Sequence, residues 1–109
     1  MFNFELAEKI YSDFQSSSEK ELVKDLIEYS VRYSQIRVEW QLANIEQRKE
    51  LEDTRIRAHD AFIDSCNILS RAMEKAGEDN SWREKLGNDR KELGDFACYI
   101  NYRLGLLSR

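Results

Sequence analysis

His59 is the residue of this chain whose type is most often used for chemistry, because a histidine ring changes its charge near neutral pH. It is the only histidine among 109 residues. A zinc site needs further histidine or cysteine ligands at close spacing, and none lies near His59 in the sequence. A di-iron bundle uses Glu-x-x-His pairs, whereas Ile56 stands three residues before His59. The sequence therefore predicts no metal and no cofactor, and favours a histidine at the edge of a core.

Paired carboxylates are the next residues that could do chemistry, because all-helical nucleotide pyrophosphatases hold magnesium with such pairs. The chain has Glu5 with Glu8 and Glu50 with Asp53, both at the spacing of one helical turn. The two pairs lie far apart in the sequence, on different predicted helices. Acidic residues at this spacing are common on exposed helix faces. We therefore expect solvated surfaces and no catalytic carboxylates.

Four polar residues stand at the edges of apolar helix faces. Arg55 and His59 flank the apolar face of one predicted helix, and Asp89 and Arg90 flank that of the last one. Buried charges are costly unless they are paired, so packing of these helices predicts that the four side chains meet in one network. Such a network would suit a small anionic ligand. The structural alternative is a cap at Asp89, an Arg90 that reaches into solvent, and a hydrogen bond from His59.

Three aromatic residues, Tyr29, Tyr33 and Trp40, lie along one face of a predicted helix. Aromatic residues at helical spacing are typical of a core, because each buries a large apolar area. Aromatic side chains also anchor protein interfaces. The pattern therefore predicts core positions and leaves these residues as candidates for a partner surface.

The composition predicts one domain over residues 1–109 that does not bind a membrane, and it disfavours nucleic-acid binding. Hydrophobic residues make up 41% of the chain and charged residues 35%, which suits an amphipathic helical protein. Seventeen basic and 21 acidic residues give a net charge of −4, against the positive patch that DNA requires. No apolar run reaches the length of a membrane span or a signal peptide. Cys66 and Cys98 form no CxxC pair, so we expect a reduced, cytoplasmic protein.

Long helices are predicted because the chain has no proline, and no glycine between Leu22 and Ala76. Apolar periodicity predicts helices over 4–14, 19–47 and about 54–76, and a last one from residue 82. The residues predicted to face the core are Phe4, Leu6, Ile10 and Phe14 in the first helix, Leu22, Leu26, Tyr29, Tyr33, Ile36 and Trp40 in the second, Phe62, Cys66, Leu69 and Met73 in the third, and Trp82, Leu86, Leu93, Phe96, Ala97, Ile100, Leu104 and Leu107 in the last. The sum is an all-α protein, an antiparallel four-helix bundle or a close variant with one short N-terminal helix and three long helices. The second helix is expected to be the longest.

The helix boundaries are predicted from residues that cap or break helices. Capping boxes are expected at Ser18 with Glu21 and at Ser81 with Glu84. Gly77 is expected to end the third helix. The charged stretch 46–57 is open to two interpretations, a continuous helix or a polar bend near 52–54 with Asp53 or Thr54 as the cap. Gly87 could interrupt the last helix, in which case Asp89 with Glu92 would cap the restarted one.

The second predicted helix is apolar over more than half of its circumference. One stripe runs from Leu22 to Trp40, and an adjoining face carries Val31, Val38 and Leu42. One neighbouring helix cannot cover so wide a face. The helix must therefore lie among several others, or part of it faces another subunit, and we expect a homodimer.

Two stretches of the C-terminal half resemble a family of small all-helical bacterial proteins known only as a domain of unknown function. They are RAHDAFI at 57–63, followed by NILSR at 67–71, and NDR at 88–90, followed by GDF at 94–96. The resemblance implies a bacterial origin and no particular activity. The positions that it singles out are His59, Asp60, Asn67, Asp89, Arg90 and Asp95.

The first functional hypothesis is a non-enzymatic cytosolic bundle that acts through contacts with an unknown protein partner or with a second copy. The second is a small anionic-ligand-binding or hydrolytic domain centred on His59, Asp89 and Arg90. The third is a DNA-associated regulator, which the net charge disfavours.

Overall fold

The structure is a computed structural model that describes the backbone of residues 2–107 and the side chains of residues 2–105. It contains five helices in this range: α1 (Phe4–Ser16), α2 (Lys20–Leu42), α3 (Ile45–Lys75), α4 (Ser81–Leu86) and α5 (Arg90–Leu107). No strand occurs in the described part of the chain, so the all-α prediction is confirmed. None of these helices is both long enough and apolar enough to cross a membrane.

The boundary between α2 and α3 differs from the prediction. The second helix ends at Leu42, before the predicted end at residue 47, and the 31-residue α3 is the longest helix described. Asn44 caps α3, since its side chain accepts from the Gln47 N–H at 2.9 Å while Gln47 Oε1 accepts from the Asn44 N–H at 2.9 Å. This reciprocal capping box places the break at residues 43–44. Of the two interpretations of 46–57, the continuous helix is the one observed, and there is no bend or cap at Asp53 or Thr54.

The last predicted helix is divided into α4 and α5 at Gly87. The backbone of Gly87 has φ 73°, a conformation that residues other than glycine adopt only with strain. The Asp89 carboxylate then accepts from the Glu92 N–H at 3.0 Å, which is the cap expected for a restarted helix. Five helices therefore replace the predicted four, because one glycine separates a six-residue segment from α5.

The two predicted serine capping boxes are wrong. The N-cap residues are Glu19 for α2 and Asn80 for α4, and neither side chain accepts a capping hydrogen bond. The Ser18 hydroxyl donates to Glu78 instead, at 2.7 Å. Gly77, in contrast, ends α3 as predicted: its φ is 76°, and the N–H of Glu78 donates back to the Met73 carbonyl at 2.8 Å.

Helix α2 is the centre of the fold, because both α3 and α5 pack along it. Tyr33 stacks on Phe62 of α3 with ring centroids 5.9 Å apart, and Trp40 donates to Glu52 nearer the turn. These pairs converge toward the turn, so α2 and α3 run antiparallel. Helices α3 and α5 cover most of the wide apolar arc of α2 within one chain.

The predicted core is largely confirmed. Leu26 and Phe62 are fully buried, and Trp82 is 2% exposed. The other predicted core positions that are buried are Ile10, Phe14, Cys66, Leu69, Met73, Leu86, Leu93, Phe96, Ala97 and Ile100. Phe4, which was predicted to face the core, is 63% exposed because it begins α1 at the end of the molecule. The side chain of Leu107 lies outside the described residues.

Glu78 fastens the α1–α2 connection to the segment that follows α3. Its carboxylate accepts from the Ser17 hydroxyl at 2.6 Å and from the N–H and hydroxyl of Ser18 at 2.8 and 2.7 Å. The pKa of Glu78 is therefore held below its usual 4.5, first by the Ser17 hydroxyl and then by Ser18. The two connections are separated by about sixty positions in the sequence, so this clasp is a product of the fold.

Acid should weaken the hydrogen bonds that the Glu78 carboxylate accepts from Ser17 and Ser18. A carboxyl whose pKa is lowered by folding stabilises the protein above its unfolded pKa, and this contribution is lost as pH falls through the folded pKa. We expect the free energy of unfolding to decline below about pH 4.5, and Glu78→Gln to remove part of that decline. Urea denaturation at a series of pH values measures both. Glu74→Gln is the matched control, and an equal effect of the two variants would contradict the prediction.

Candidate functional site

His59 and Arg55 lie one turn apart on α3, on the side that faces α2. The His59 side chain is 9% exposed, and its ring meets the Tyr33 ring edge to face with centroids 5.4 Å apart. Its Nδ1 lies 3.3 Å from a carboxylate oxygen of Asp60, so Nδ1 carries the proton in that contact. His59 Nε2 and Arg55 Nε are both buried without a hydrogen-bond partner among the described residues. Buried polar atoms of this kind are rare and call for a physical explanation.

Arg55 takes part in a stack of polar and aromatic groups near the α2–α3 turn. Its Nη2 donates to Glu52 at 2.7 Å, and its guanidinium lies 4.7 Å from the centre of the Trp40 ring. Arg48 lies at 4.3 Å from the same ring, and Trp40 Nε1 donates to Glu52 at 3.1 Å. The hydrogen bond from Arg55 is the largest influence that lowers the pKa of Glu52. Trp40 thus lies between two arginines in a structural cluster.

Arg37 joins α2 to α5. Its Nη1 donates to Asp95 at 2.9 Å and lies 3.6 Å from the sulfur of Cys98. The guanidinium crosses α5 at Gly94, where a β-carbon would come within 2.9 Å of it. Glycine at this position therefore leaves room for the Arg37–Asp95 ion pair.

The structure does not join Arg55, His59, Asp89 and Arg90 into one hydrogen-bonded network. Within the part of the chain that is described, no hydrogen bond or ion pair links any two of them. Asp89 is exposed and its carboxylate caps α5, while Arg55 is paired with a glutamate one turn earlier in its own helix. Local partners thus engage Asp89 and Arg55, two of the four groups that were expected to meet across helices.

Tyr33 is the residue around which three arginines gather. Burial raises the pKa of its hydroxyl above the usual 10.0, although Arg37, Arg90 and Arg55 act to lower it. The charge of Arg90 also acts to lower the pKa of Glu52. This grouping was missed from the sequence because Tyr33 and Arg37 lie on α2, which carried no predicted polar site.

The candidate partner-surface residues differ in exposure. Tyr33 is 2% exposed, so it belongs to the core, whereas Tyr29 and Trp40 are half-buried. Tyr29 lines a groove of about 250 Å³ between α2 and α3, together with Leu22 and Ile68. Of the three aromatic residues, only Tyr29 and Trp40 retain a surface that a partner could contact.

The cysteines and carboxylates offer little catalytic chemistry. Among the described residues, no group of three or more histidine, cysteine, aspartate or glutamate side chains is placed to hold a metal ion. Burial raises the pKa of the Cys66 thiol to about 12, which leaves it protonated and unreactive. Cys98 is half-buried in a groove of about 770 Å³ between α2 and α5 that Val38 and Tyr102 also line.

The positions that the resemblance singled out make structural contacts. Asn67 accepts from Arg83 Nε at 2.7 Å, and Arg83 also donates to the Gly87 carbonyl at 2.8 Å and to Asn88 at 2.7 Å. These bonds fix α4 and its turn against α3. Asp95 of α5 likewise forms an ion pair with Arg37 of α2. Asn67, Asn88 and Asp95 therefore hold helices together.

Comparison of the chain with protein-family models, with curated proteins and with solved structures finds no match.

Proposed function

We propose that this chain is a cytosolic helical-bundle protein, a close variant of the antiparallel four-helix bundle, that acts through protein–protein contacts and pairs with a second copy of itself. A bacterial source, implied by the resemblance of the C-terminal half, belongs to the same proposal. The observation that carries it is the exposure of large apolar side chains at the α2–α3 turn. Val38 is 47% exposed, Leu42 82% and Ile45 75%.

These three side chains, here called the tip patch, are held on ordered helices. Val38 and Leu42 are one turn apart on α2, and Ile45 begins α3 directly after the turn. A single exposed apolar residue is ordinary, but a group at one end of a protein indicates an interface. Most of the wide apolar arc of α2 is covered within the chain, so we expect the dimer contact to be limited to the tip patch.

The charges around the tip patch favour a second copy as the partner. The first turns of α3 carry Glu46 and Glu50 beside Arg48 and Lys49. In a two-fold contact each surface meets its own copy, so a rim that has both signs can pair with itself. A rim of one sign would repel its copy and would favour a partner of opposite charge.

The size of the tip patch predicts a weak dimer. Burying a large apolar side chain contributes ~1.5–3 kcal/mol, whereas association costs ~4–15 kcal/mol in lost freedom of motion. A two-fold dimer buries three such side chains from each copy, up to ~9–18 kcal/mol in total, which leaves a small surplus over the cost of association. We expect a Kd on the order of micromolar.

Size-exclusion chromatography with light scattering over a concentration series tests this proposal. The expected result is a monomer–dimer equilibrium that the double substitution Leu42→Glu with Ile45→Glu shifts to monomer, because charged groups would be buried unpaired. Ile68→Glu is the matched control, since Ile68 is 45% exposed on the same helix and far from the turn. A strict monomer at high micromolar concentration would overturn the homodimer, and equal loss in the control would move the contact elsewhere.

The two alternative functions have less support. A hydrolytic site at His59, Asp89 and Arg90 needs a nucleophile or water held by a base, whereas Asp89 caps a helix and His59 is buried. A DNA-associated regulator would bind with a steep dependence on salt, and the net charge of −4 opposes it. Binding of an anion without hydrolysis would need only hydrogen-bond donors at the site.

A further inference from the structure

A groove of about 600 Å³ between α3 and α4 is lined only by polar side chains and one glycine. Helix α3 contributes Asn67 and the buried Ser70, and α4 with the turn after it contributes Arg83 and Asn88. The Asn80 amide nitrogen donates to both the carbonyl and the hydroxyl of Ser70 at 3.1 Å, which ties the two sides of the groove together. Because no apolar side chain lines it, the groove offers a ligand hydrogen bonds and charge and little hydrophobic contact.

Arg83 is the one cation among the residues that line this groove, and its charge is not balanced by a carboxylate. Its guanidinium donates to Asn67 Oδ1 at 2.7 Å, to the Gly87 carbonyl at 2.8 Å and to Asn88 Oδ1 at 2.7 Å, all of which are neutral acceptors. Within the described part of the chain it forms no ion pair, and its side chain is half-buried. A guanidinium has further N–H groups beyond those that three bonds use, so Arg83 keeps both donors and charge for a ligand.

Arg83 also determines which way the neighbouring amides face. A guanidinium only donates, so the amide oxygens of Asn67 and Asn88 must be the atoms that turn toward it. Their NH2 groups are left over, and neither donates a hydrogen bond to another described residue. The groove therefore presents N–H donors from three residues around one positive charge. Charged and neutral N–H groups in such a set match the oxygens of an oxyanion.

Glu84 is the opposing charge in the groove. Its side chain is exposed, and it forms no ion pair with any described residue. Water and salt screen an exposed charge more strongly than a partly buried one, so Glu84 weakens the attraction of an anion to Arg83 without cancelling it. Removal of the Glu84 charge should therefore tighten the binding of an anion and weaken the binding of a cation.

We propose that this groove binds a phosphorylated small molecule of the sugar-phosphate class, whose phosphate oxygens accept hydrogen bonds from Arg83, Asn67 and Asn88. Sites that hold whole small molecules have volumes of about 300–1,000 Å³, so this groove has room for an organic body beside the phosphate. The polar lining, including Ser70, suits a body rich in hydroxyl groups. No covalent step is involved. Asn67 lies about 33 Å along α3 from Ile45 of the tip patch, so the site is separate from the proposed dimer contact.

The test follows the side-chain N–H signals of Asn67, Asn88 and Arg83 by 1H–15N spectroscopy at about pH 7.5 and constant ionic strength. The probes are glucose 6-phosphate, inorganic phosphate and glucose. The expected result is a saturable shift with glucose 6-phosphate and, at about tenfold lower affinity, with inorganic phosphate, because the sugar adds hydrogen bonds of its own. Glucose and chloride should cause no shift. Equal affinity for the ester and for inorganic phosphate would overturn the sugar body, and the absence of any saturable shift would overturn the site.

Asn88→Asp is the sharpest variant, because it keeps the oxygen that accepts from Arg83 and so retains the local structure. The new carboxylate would balance the Arg83 charge and remove one NH2 donor, so binding of glucose 6-phosphate should weaken at least about tenfold. Asn3→Asp is the matched control, since Asn3 accepts from the Leu6 N–H through the same oxygen and lies outside this groove. An unchanged affinity in Asn88→Asp, or an equal loss in the control, would contradict the proposal.

Glu84→Gln should tighten the binding of glucose 6-phosphate about threefold, as expected for the loss of one exposed like charge. Glu28→Gln makes the same change at an exposed position of α2, outside the groove, and should leave the affinity unchanged. Weaker binding in Glu84→Gln would mean that the groove attracts cations, and it would overturn the assignment to a phosphate.

Discussion

Leu69→Ala should lower the free energy of unfolding by about 2–5 kcal/mol. Leu69 is fully buried on the face of α3 that also carries Phe62 and Met73. Removal of its side chain loses the transfer free energy of the missing atoms and leaves a cavity that rigid helices close only in part. Leu26→Ala, which empties a fully buried position on α2, should cost a similar amount.

Urea denaturation followed by circular dichroism measures both losses. The control is Leu42→Ala, which makes the same chemical change at a position that is 82% exposed. We expect the control to alter stability by less than about 0.5 kcal/mol, provided that it is measured at a concentration where the protein is monomeric. A loss below about 1 kcal/mol at Leu69 would mean that α3 presents a different face to the core.

Trp82→Ala should be at least as damaging, with an expected loss of about 3–5 kcal/mol. Trp82 is 2% exposed and meets the Phe14 ring edge to face at 4.8 Å, so it joins α4 to α1. Its Nε1 also points to the sulfur of Met73 at 3.3 Å, which ties α4 to α3. A helix of six residues is not stable by itself, and this side chain supplies much of its packing.

The loss should be local as well as global. Hydrogen exchange in Trp82→Ala should accelerate most in α4 and in the neighbouring end of α1, because their shared contact is gone. Trp82→Phe retains an aromatic ring and is the matched variant, with an expected cost well below that of alanine. Equal losses for alanine and phenylalanine would contradict the view that the packed ring, and not the indole N–H, holds α4 in place.

A large part of this fold could be predicted from local patterns. The periodicity that placed Phe62, Cys66 and Leu69 on one face of α3 is also the periodicity of its buried side. Gly77 as the end of α3 and Asp89 as the cap of α5 followed from the conformations that these residue types favour. Such features depend on a few neighbouring residues, and they can therefore be found without knowledge of the rest of the chain.

The errors arose where several local patterns compete. Asn44 and Gln47 form the capping box that begins α3. Ser18 and Glu21 have the same spacing, but they do not cap α2. The difference is tertiary, because Glu78 takes the Ser18 hydroxyl across the fold. The candidate site shows the same limit. His59 and Arg55 were identified as polar residues and Tyr33 as an aromatic one, but the contact of Tyr33 with His59 and the ion pair of Arg37 depend on the packing of α2 between α3 and α5.

The amino-acid sequence by itself determined that the chain is helical and which side of each helix is apolar, since backbone hydrogen bonding and side-chain periodicity act over one or two turns. The tertiary structure decided which polar groups find partners. Helix packing brings Glu78 to Ser18 and Arg37 to Asp95, and it leaves His59 Nε2 buried without a partner among the described residues. Partner choice depends on distances between segments that are remote in the sequence, and only the packed helices determine those distances.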